Sequence, residues 1–199
     1  MESARALLDG AALDDSTVIE RSLDRPELFA VLFDRYADEM YRYAARRLGA
    51  EPAEDLVAEL FLVAFRGRGR YVAARADARP WLYGIATNLV SQHRRAERRR
   101  VRLMARVPAD PPPEFDERSA DRVTAEQLQP RLAQVLARLS AGERDLLLLV
   151  AWAELSYEDA AAALGVPVGT VRSRLHRVRA KVRRAFGGTD PLSLENTHG

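Results

Sequence analysis

The chain of 199 residues contains no cysteine. Disulfide scaffolds, thiolate metal sites and cysteine nucleophiles are therefore excluded together. No uninterrupted apolar run reaches the ~18 residues that a membrane-spanning helix needs. The opening MESARALLDGAALDDS carries acids where a secretory signal needs a basic stretch and then a long apolar one. A cytoplasmic protein without a membrane span is expected. Lysine is nearly absent as well: of 31 basic residues only Lys181 is a lysine. Together with abundant alanine this points to a GC-rich genome, so the clustering of arginines carries more information than their identity. Catalytic constellations are missing too. His93, His176 and His198 are far apart, and no histidine–carboxylate pair has metal-ligand spacing. Gly67-Arg68-Gly69 lacks the rest of any phosphate-cradling glycine motif, and no serine sits in a nucleophile elbow. Neither an enzyme nor a bound metal or cofactor is expected.

What is present is a folding composition, 47% apolar and 30% charged, in a length that suits one medium domain or two small ones. The net charge of +2 is an average over opposed blocks. Residues 1–65 sum to −7, residues 66–104 to +9, residues 105–145 to −2 and residues 146–199 to +2. In the last block all the basic residues lie between Arg172 and Arg184. Two basic stretches separated by acidic sequence suggest polyanion binding at two places.

The dominant period is helical. After Asp24-Arg25-Pro26-Glu27, a capped start, Leu28, Leu32, Tyr36, Met40 and Ala44 recur at fours with Phe29 and Phe33 beside them. Gly49 ends this helix. Pro52 opens the next, with Leu56, Leu60 and Ala64 on one stripe and Val57, Phe61 and Phe65 on the adjoining one. Gly67 and Gly69 break the pattern. Asp77 can cap a third helix with Pro80 in its first turn, whose stripe is Trp81, Leu82, Ile85, Leu89 and Val90. That helix runs out into RRAERRRVR, too charged to be core. PADPPPE at 108–114 reads as a linker. Helical pattern resumes near Thr124. Ser140 with Glu143 is a capping box that opens an apolar helix through Leu146 to Trp152, and a second box, Ser156-Tyr157-Glu158-Asp159, opens a short alanine-rich helix that stops at Gly165. Thr170 starts a long helix with Val171, Leu175, Val178 and Val182 on one face. No stretch alternates with strand period. The expectation is an all-α chain of two small helical domains, 25–104 and 125–187, joined by a flexible linker at 105–124. An N-terminal extension to residue 24 and a C-terminal tail at 188–199 flank them.

The most specific motif is 157–176. A helix-turn-helix needs a small residue where its helices touch, a glycine at the turn and a β-branched or aliphatic anchor on the second helix. Ala161, Gly165 and Val171 occupy these places, and Pro167 keeps the turn non-helical. From Thr170 the second helix carries Arg172, Ser173, Arg174, His176, Arg177 and Arg179 on its free face, as a recognition helix does in the major groove. A structural hairpin with a solvated arginine face is the plain alternative. In the block 67–102 arginines interleave with aromatic residues, among them Arg70, Tyr71 and Trp81, followed along the helix by Asn88, Arg94 and Arg95. Stacking faces beside cations suit single-stranded nucleic acid, and a loop followed by a basic helix can hold an unpaired base. Trp81 also lies on its helix's apolar stripe, so a core role stands beside the stacking role. The helix from Pro52 carries Glu51, Glu54, Asp55 and Glu59 next to Leu62 and Phe65, an arrangement that suits a basic protein partner, or simply water.

Taken together, these segments resemble the extracytoplasmic-function (ECF) sigma factors of bacterial RNA polymerase. The resemblance covers about 25–187 and is carried by LFDRYADEMYRYAARRLG, AEDLVAELFLVAFRGRGRY, PWLYGIATNLVSQHRRAERR and the run from Leu139 to Phe186. It implies an alternative sigma factor that binds core polymerase, at the β′ clamp through Asp55, Glu59 and Leu62, and at the β flap. It further implies a first domain that takes the −10 element as single-stranded DNA, with Asn88 near a flipped base. The second domain would read the −35 element as duplex, with Tyr157 and Glu158 near the DNA backbone, and the linker would thread toward the polymerase cleft. An anti-sigma partner and a free protein that is monomeric are implied as well. His176 stands where the family often has an aromatic residue. Two other classes stay open at this point: an autonomous DNA-binding regulator, for which no dimer helix is evident, and a decoy of an anti-sigma factor, which would have no use for the arginines at 94–102 and 172–184.

Overall fold

The computed structural model describes residues 13–72, 76–104 and 138–185, and they fall into two units divided near Pro112. Among the described residues all regular structure is helical. The linker at 105–124, the start of the second domain at 125–137 and the tail at 188–199 lie outside them.

The first unit begins earlier than the periodicity implies. Residues 13–23, expected to be tail, contain helix α1 (Asp15–Arg21). Asp14 caps it by accepting from Thr17 N–H at 2.8 Å and from the Ser16 hydroxyl at 2.6 Å, and these bonds hold its carboxyl below the usual carboxylate range. Val18 and Ile19 enter the core and the Ser22 hydroxyl, buried, donates to Ile19 O. A seven-residue helix offers too few turns to display a period, which is why it is hidden from a pattern search.

A 3₁₀ turn at Pro26–Phe29 leads into α2 (Ala30–Leu48), and Gly49 (φ 91°) turns the chain directly into α3 (Ala50–Gly67). Only glycine adopts that dihedral without strain. A second 3₁₀ turn, Arg68–Arg70, precedes the loop to α4 (Arg79–Met104). α2 packs against both α3 and α4. Of the predicted stripes, Leu28, Leu32, Met40, Ala44, Leu56, Leu60, Ala64, Leu82, Leu89 and Val90 are buried, Tyr36, Phe65, Trp81 and Ile85 are half-buried, and Phe33 is exposed although it stacks edge-on with Phe61. α4 has no buried residue beyond Val90. Its second half extends past the core as a charged arm.

The second unit is three helices: α5 (Ala141–Ala151), α6 (Tyr157–Leu164) and α7 (Val168–Ala185). Both predicted serine caps are formed. α6 ends at Gly165 in the left-handed region (φ 62°), with Val166 N–H returning to Ala161 O at 3.0 Å. α7 starts at Val168, two residues before Thr170, because Pro167 O already accepts from Thr170 N–H and Val171 N–H. Ala160 and Ala161 are buried where α6 meets α7, and Val171, Leu175, Val178 and Val182 face inward, the last two packing with Leu139 and Leu147.

Glu143 joins the ends of this unit. Its carboxylate accepts from Ser140 N–H at 2.8 Å inside the capping box and from Lys181 Nζ at 2.7 Å, so one side chain caps α5 and anchors α7. The lysine bond, and the bonds from Ser140, pull its pKa down from 4.5 to about 2, against the cost of burial. A depressed folded-state value gives stability that is complete above the unfolded value of 4.5 and is lost as pH falls toward about 2. Glu143→Gln is therefore expected to lower stability at neutral pH and to flatten the acid limb in that window. Urea titrations at several pH values, followed through Trp152 in a Trp81→Phe background, check this; an unchanged limb would remove Glu143 as its source.

Candidate nucleic-acid and polymerase interfaces

α4 carries its candidates in a row. Trp81, Asn88 and Arg95 are seven residues apart, so two turns separate each from the next and all lie on one side of the helix. Asn88 and Arg95 are exposed and Trp81 is half-buried. Tyr71, from the preceding loop, meets Trp81 with ring centroids 5.1 Å apart at 57° and donates its hydroxyl to Asp77 O at 3.2 Å. Arg70 is exposed beside it. Arg94 is set apart from this row: it is half-buried and its Nη2 donates to Arg47 O at 2.7 Å, which serves the C-terminal end of α2.

The opposite side of α4 is locked to α2. Glu39 Oε1 accepts from Arg79 Nε at 3.0 Å, Arg79 Nη2 at 2.7 Å and the Tyr83 hydroxyl at 2.8 Å. Burial first, and then the bond to Glu39, push the pKa of the Tyr83 hydroxyl far above its ordinary value, so it stays a donor. One turn along each helix, Tyr43 and Thr87 share a hydroxyl bond of 3.0 Å, and the Tyr43 and Tyr83 rings stack edge-on at 5.1 Å. The start of α4 is tied a second time. Asp77 Oδ1 accepts from Arg79 N–H at 2.8 Å, and the buried carboxylate of Asp15, from α1, accepts from Ala78 N–H at 2.9 Å.

Asp55 and Glu59 are exposed one turn apart on α3, and Leu62 follows on the next turn with 47% of its surface exposed. The two acids line a groove of about 590 Å³ between α3 and the arm of α4, whose other wall is Gln92, His93, Ala96 and Arg99. The groove is acidic on one wall and basic on the other.

In the second unit the free face of α7 is as the spacing predicts. Arg172, Ser173, His176 and Arg177 are exposed, while Thr170, Arg174 and Arg179 are half-buried. Arg172 lies 3.6 Å from Glu158 with both side chains in water, a pairing worth little and easily exchanged for another anion. Arg179 Nη2 donates to the Tyr157 hydroxyl at 3.3 Å, Arg177 Nε to Ser173 O at 3.4 Å within the helix, and the Ser173 hydroxyl to Thr170 O. Arg174 and Arg177 also border a concavity with Ser140, Gly142 and Glu143 at the start of α5. The −10 candidates thus share one unit with the acidic helix, and the −35 candidates share the other.

Residues 32–100 match the family profile described as Sigma-70 region 2, and residues 130–182 that described as Sigma-70, region 4. The ECF RNA polymerase sigma factor SigC of Mycobacterium tuberculosis is 36% identical over 141 residues, 71% of this chain and 74% of that protein. The chain belongs to the ECF sigma factors. SigW of Bacillus subtilis, of the same description, is 31% identical and is covered over 88% of its length, against 79% of this chain. Two solved structures share the fold. CnrH in complex with the cytosolic domain of CnrY has a TM-score of 0.61 at 23% identity, covering 87% of this chain and 97% of that one. The sigma factor RpoE in complex with the anti-sigma factor NepR from Bartonella quintana has 0.59 at 24%, covering 80% and 96%.

As an alternative sigma factor the protein directs promoter-specific initiation by RNA polymerase; sigma factors are initiation factors and not enzymes. Among the described residues no helix is long and apolar enough to cross a membrane, and no group of acids and histidines is placed to hold a metal ion.

Sequence reasoning passed over Asp15, Glu39 and Lys181 as structural residues of this sigma factor. A signal for Glu39 exists: Tyr36, Met40 and Tyr43 stand at −3, +1 and +4 from it, which puts the acid on the edge of the buried stripe. Removing it takes away the acceptor that Arg79 and Tyr83 share. Glu39→Ala is expected to cost about 1.5–3 kcal/mol, the range for hydrogen bonds to a charged group, and Glu39→Gln less because its amide oxygen still accepts. Urea denaturation should move the midpoint at constant slope; equal midpoints for wild type and Glu39→Ala would make the cluster energetically idle.

Proposed function

We propose that the two units of this sigma factor divide the promoter between them while α3 holds the polymerase. The observation that carries the reading is that α7 and the first half of α4, up to Val90, each bury one face and leave a row of arginine and polar side chains on the other, with the Tyr71–Trp81 pair beside α4.

The second unit reads the −35 element as duplex. The N-terminal half of α7, Thr170, Arg172, Ser173, Arg174, His176 and Arg177, faces base edges and flanking phosphates, while Tyr157, Glu158 and Arg179 lie toward the backbone. Glu158 neutralises Arg172 only in water, so phosphate displaces it at small cost. The first unit takes the −10 element as single strand. Tyr71 and Trp81 offer ring faces for unstacked bases, Asn88 offers an amide for the edge of one base, and Arg70 and Arg95 neutralise phosphates. Arg94 contributes less, because its guanidinium already serves α2. Asp55, Glu59 and Leu62 form the contact to the β′ clamp, acidic and apolar together, and the second unit meets the β flap. The protein works in the cytoplasm, is a monomer when free, and is silenced by an anti-sigma factor. The structure of RpoE in complex with the anti-sigma factor NepR supports that last point.

Charge reversal on α3 separates the polymerase contact from the DNA contacts. Asp55→Arg with Glu59→Arg is expected to abolish capture of core polymerase and to leave binding to a −35 duplex unchanged, because attraction to a basic partner becomes repulsion. A pull-down with undiminished core places the interface elsewhere.

The two DNA sites separate in a second pair of variants. Arg177→Ala is expected to weaken −35-dependent transcription by about 1–3 kcal/mol at one base pair if the contact is bidentate to guanine. A pure phosphate contact instead gives a uniform loss and a salt slope lower by about one. Asn88→Ala leaves −35 duplex binding intact and lowers permanganate reactivity of the −10 region. Identical defects of both variants in both assays refute the division of labour.

A further inference from the structure

The loop that delivers Tyr71 to Trp81 is held from a distance by α1. The Asp15 carboxylate is 4% exposed and accepts from three groups. Arg35 Nη1 and the Tyr36 hydroxyl on α2 bind it at 2.5 Å each, and Ala78 N–H binds it at 2.9 Å, 63 residues away. Arg35 also donates through Nη2 to Leu13 O at 2.6 Å, so the same guanidinium closes over the entry to α1. Burial, then the bond to Asp15, push the pKa of the Tyr36 hydroxyl far above its ordinary value and keep it a donor.

Ala78 is the residue before α4, and its N–H is a donor the helix itself cannot satisfy. From there the contacts run on without a gap. Ala78 is bonded in the chain to Asp77, Asp77 O accepts the Tyr71 hydroxyl, and the Tyr71 ring meets that of Trp81 at a tilt of 57°. Asp15 is therefore the fixed point against which the lower end of the aromatic pair is set. Glu39 holds α4 as a body, through Arg79 and Tyr83. Asp15 holds instead the backbone at Ala78, just before α4.

We infer that Asp15 is a positioning residue for single-strand capture: it touches no DNA, but sets Ala78 and through it the Tyr71–Trp81 platform on which unpaired bases stack. The inference rests on the reading of that pair as the −10 site. It assigns a role to a segment that lies upstream of the matched sigma region, which begins at residue 32. A buried carboxylate binding three donors, two on α2 and one just before α4, is a costly device if its purpose is only to fasten seven residues of helix.

The test compares Asp15→Ala with Arg35→Gln in the full-length chain. Both variants lose the Arg35–Asp15 ion pair, and both are expected to lower the melting temperature. Only Asp15→Ala also frees Ala78 N–H. Amide exchange at residues 76–79 should therefore speed up in Asp15→Ala and stay near wild type in Arg35→Gln, a readout that involves no DNA. Affinity for a −10 non-template oligonucleotide, measured on the holoenzyme, should fall by about tenfold in Asp15→Ala, the lower end of the loss seen when a supporting contact behind a binding group is removed. It should stay within about twofold of wild type in Arg35→Gln. Affinity for core polymerase should be equal in all three proteins. Equal exchange at 76–79, or equal oligonucleotide affinity in the two variants, overturns the positioning role. Wild-type holoenzyme that ignores the oligonucleotide overturns the −10 reading itself, and the exchange measurement then still decides whether Asp15 sets the loop.

Discussion

The first unit depends on how α4 is clocked about its own axis. That helix has to be core on one side and ligand-facing on the other, and a rotation of one residue, about 100°, would exchange Asn88 for a buried position. Apolar packing alone discriminates weakly between neighbouring registers. The bonds from Glu39 to Arg79 and Tyr83, with the Tyr43–Thr87 hydroxyl pair one turn further on, admit only one. They are short, partly buried and directional, so the angle is set by polar chemistry and the adhesion by the surrounding leucines and tyrosines.

The second unit solves the same problem with fewer parts. Val171, Leu175, Val178 and Val182 supply the adhesion, Gly165 the angle between α6 and α7, and the Glu143–Lys181 pair the far end of α7. The buried alanines of α6 allow α7 to approach closely, and the cost of that economy is a small core. In the second unit the arginines thus stand on a helix whose other side is committed to the interior, so its backbone is already in place when a polyanion arrives.

Most of this architecture is legible in the chain because its causes are local. Gly49 and Gly165 end helices at positive dihedrals, Ser140 and Ser156 cap them, and the valine and leucine row of α7 faces inward as its spacing requires. The free face of α7 and the acidic face of α3 follow directly, since they are what those stripes leave over. Legibility ends where the partner is remote. Asp15 and Ala78 are 63 residues apart, Glu39 and Arg79 are 40, and nothing near either acid in sequence names the other end. The helix α1 escaped for a second reason: it is shorter than the window over which a period can be recognised, although Asp-Asp-Ser-Thr before Val-Ile is a capping signal followed by an apolar pair.

One feature of the second unit bears on how the protein can be handled chemically. Lys181 is its only lysine, and the ammonium is held by Glu143 at the point where α7 meets the cap of α5. An amine-selective reagent meets two targets in the whole chain, the α-amino group and this side chain. Acylation there does not merely attach a label. It discharges the ammonium, leaves Glu143 without its cation, and loosens the end of the helix that carries the arginines. Amine-coupled surfaces, cross-linkers and dyes therefore report on a second unit that they have themselves weakened, whereas the arginine-rich faces of α4 and α7 pass through the same treatment unmodified.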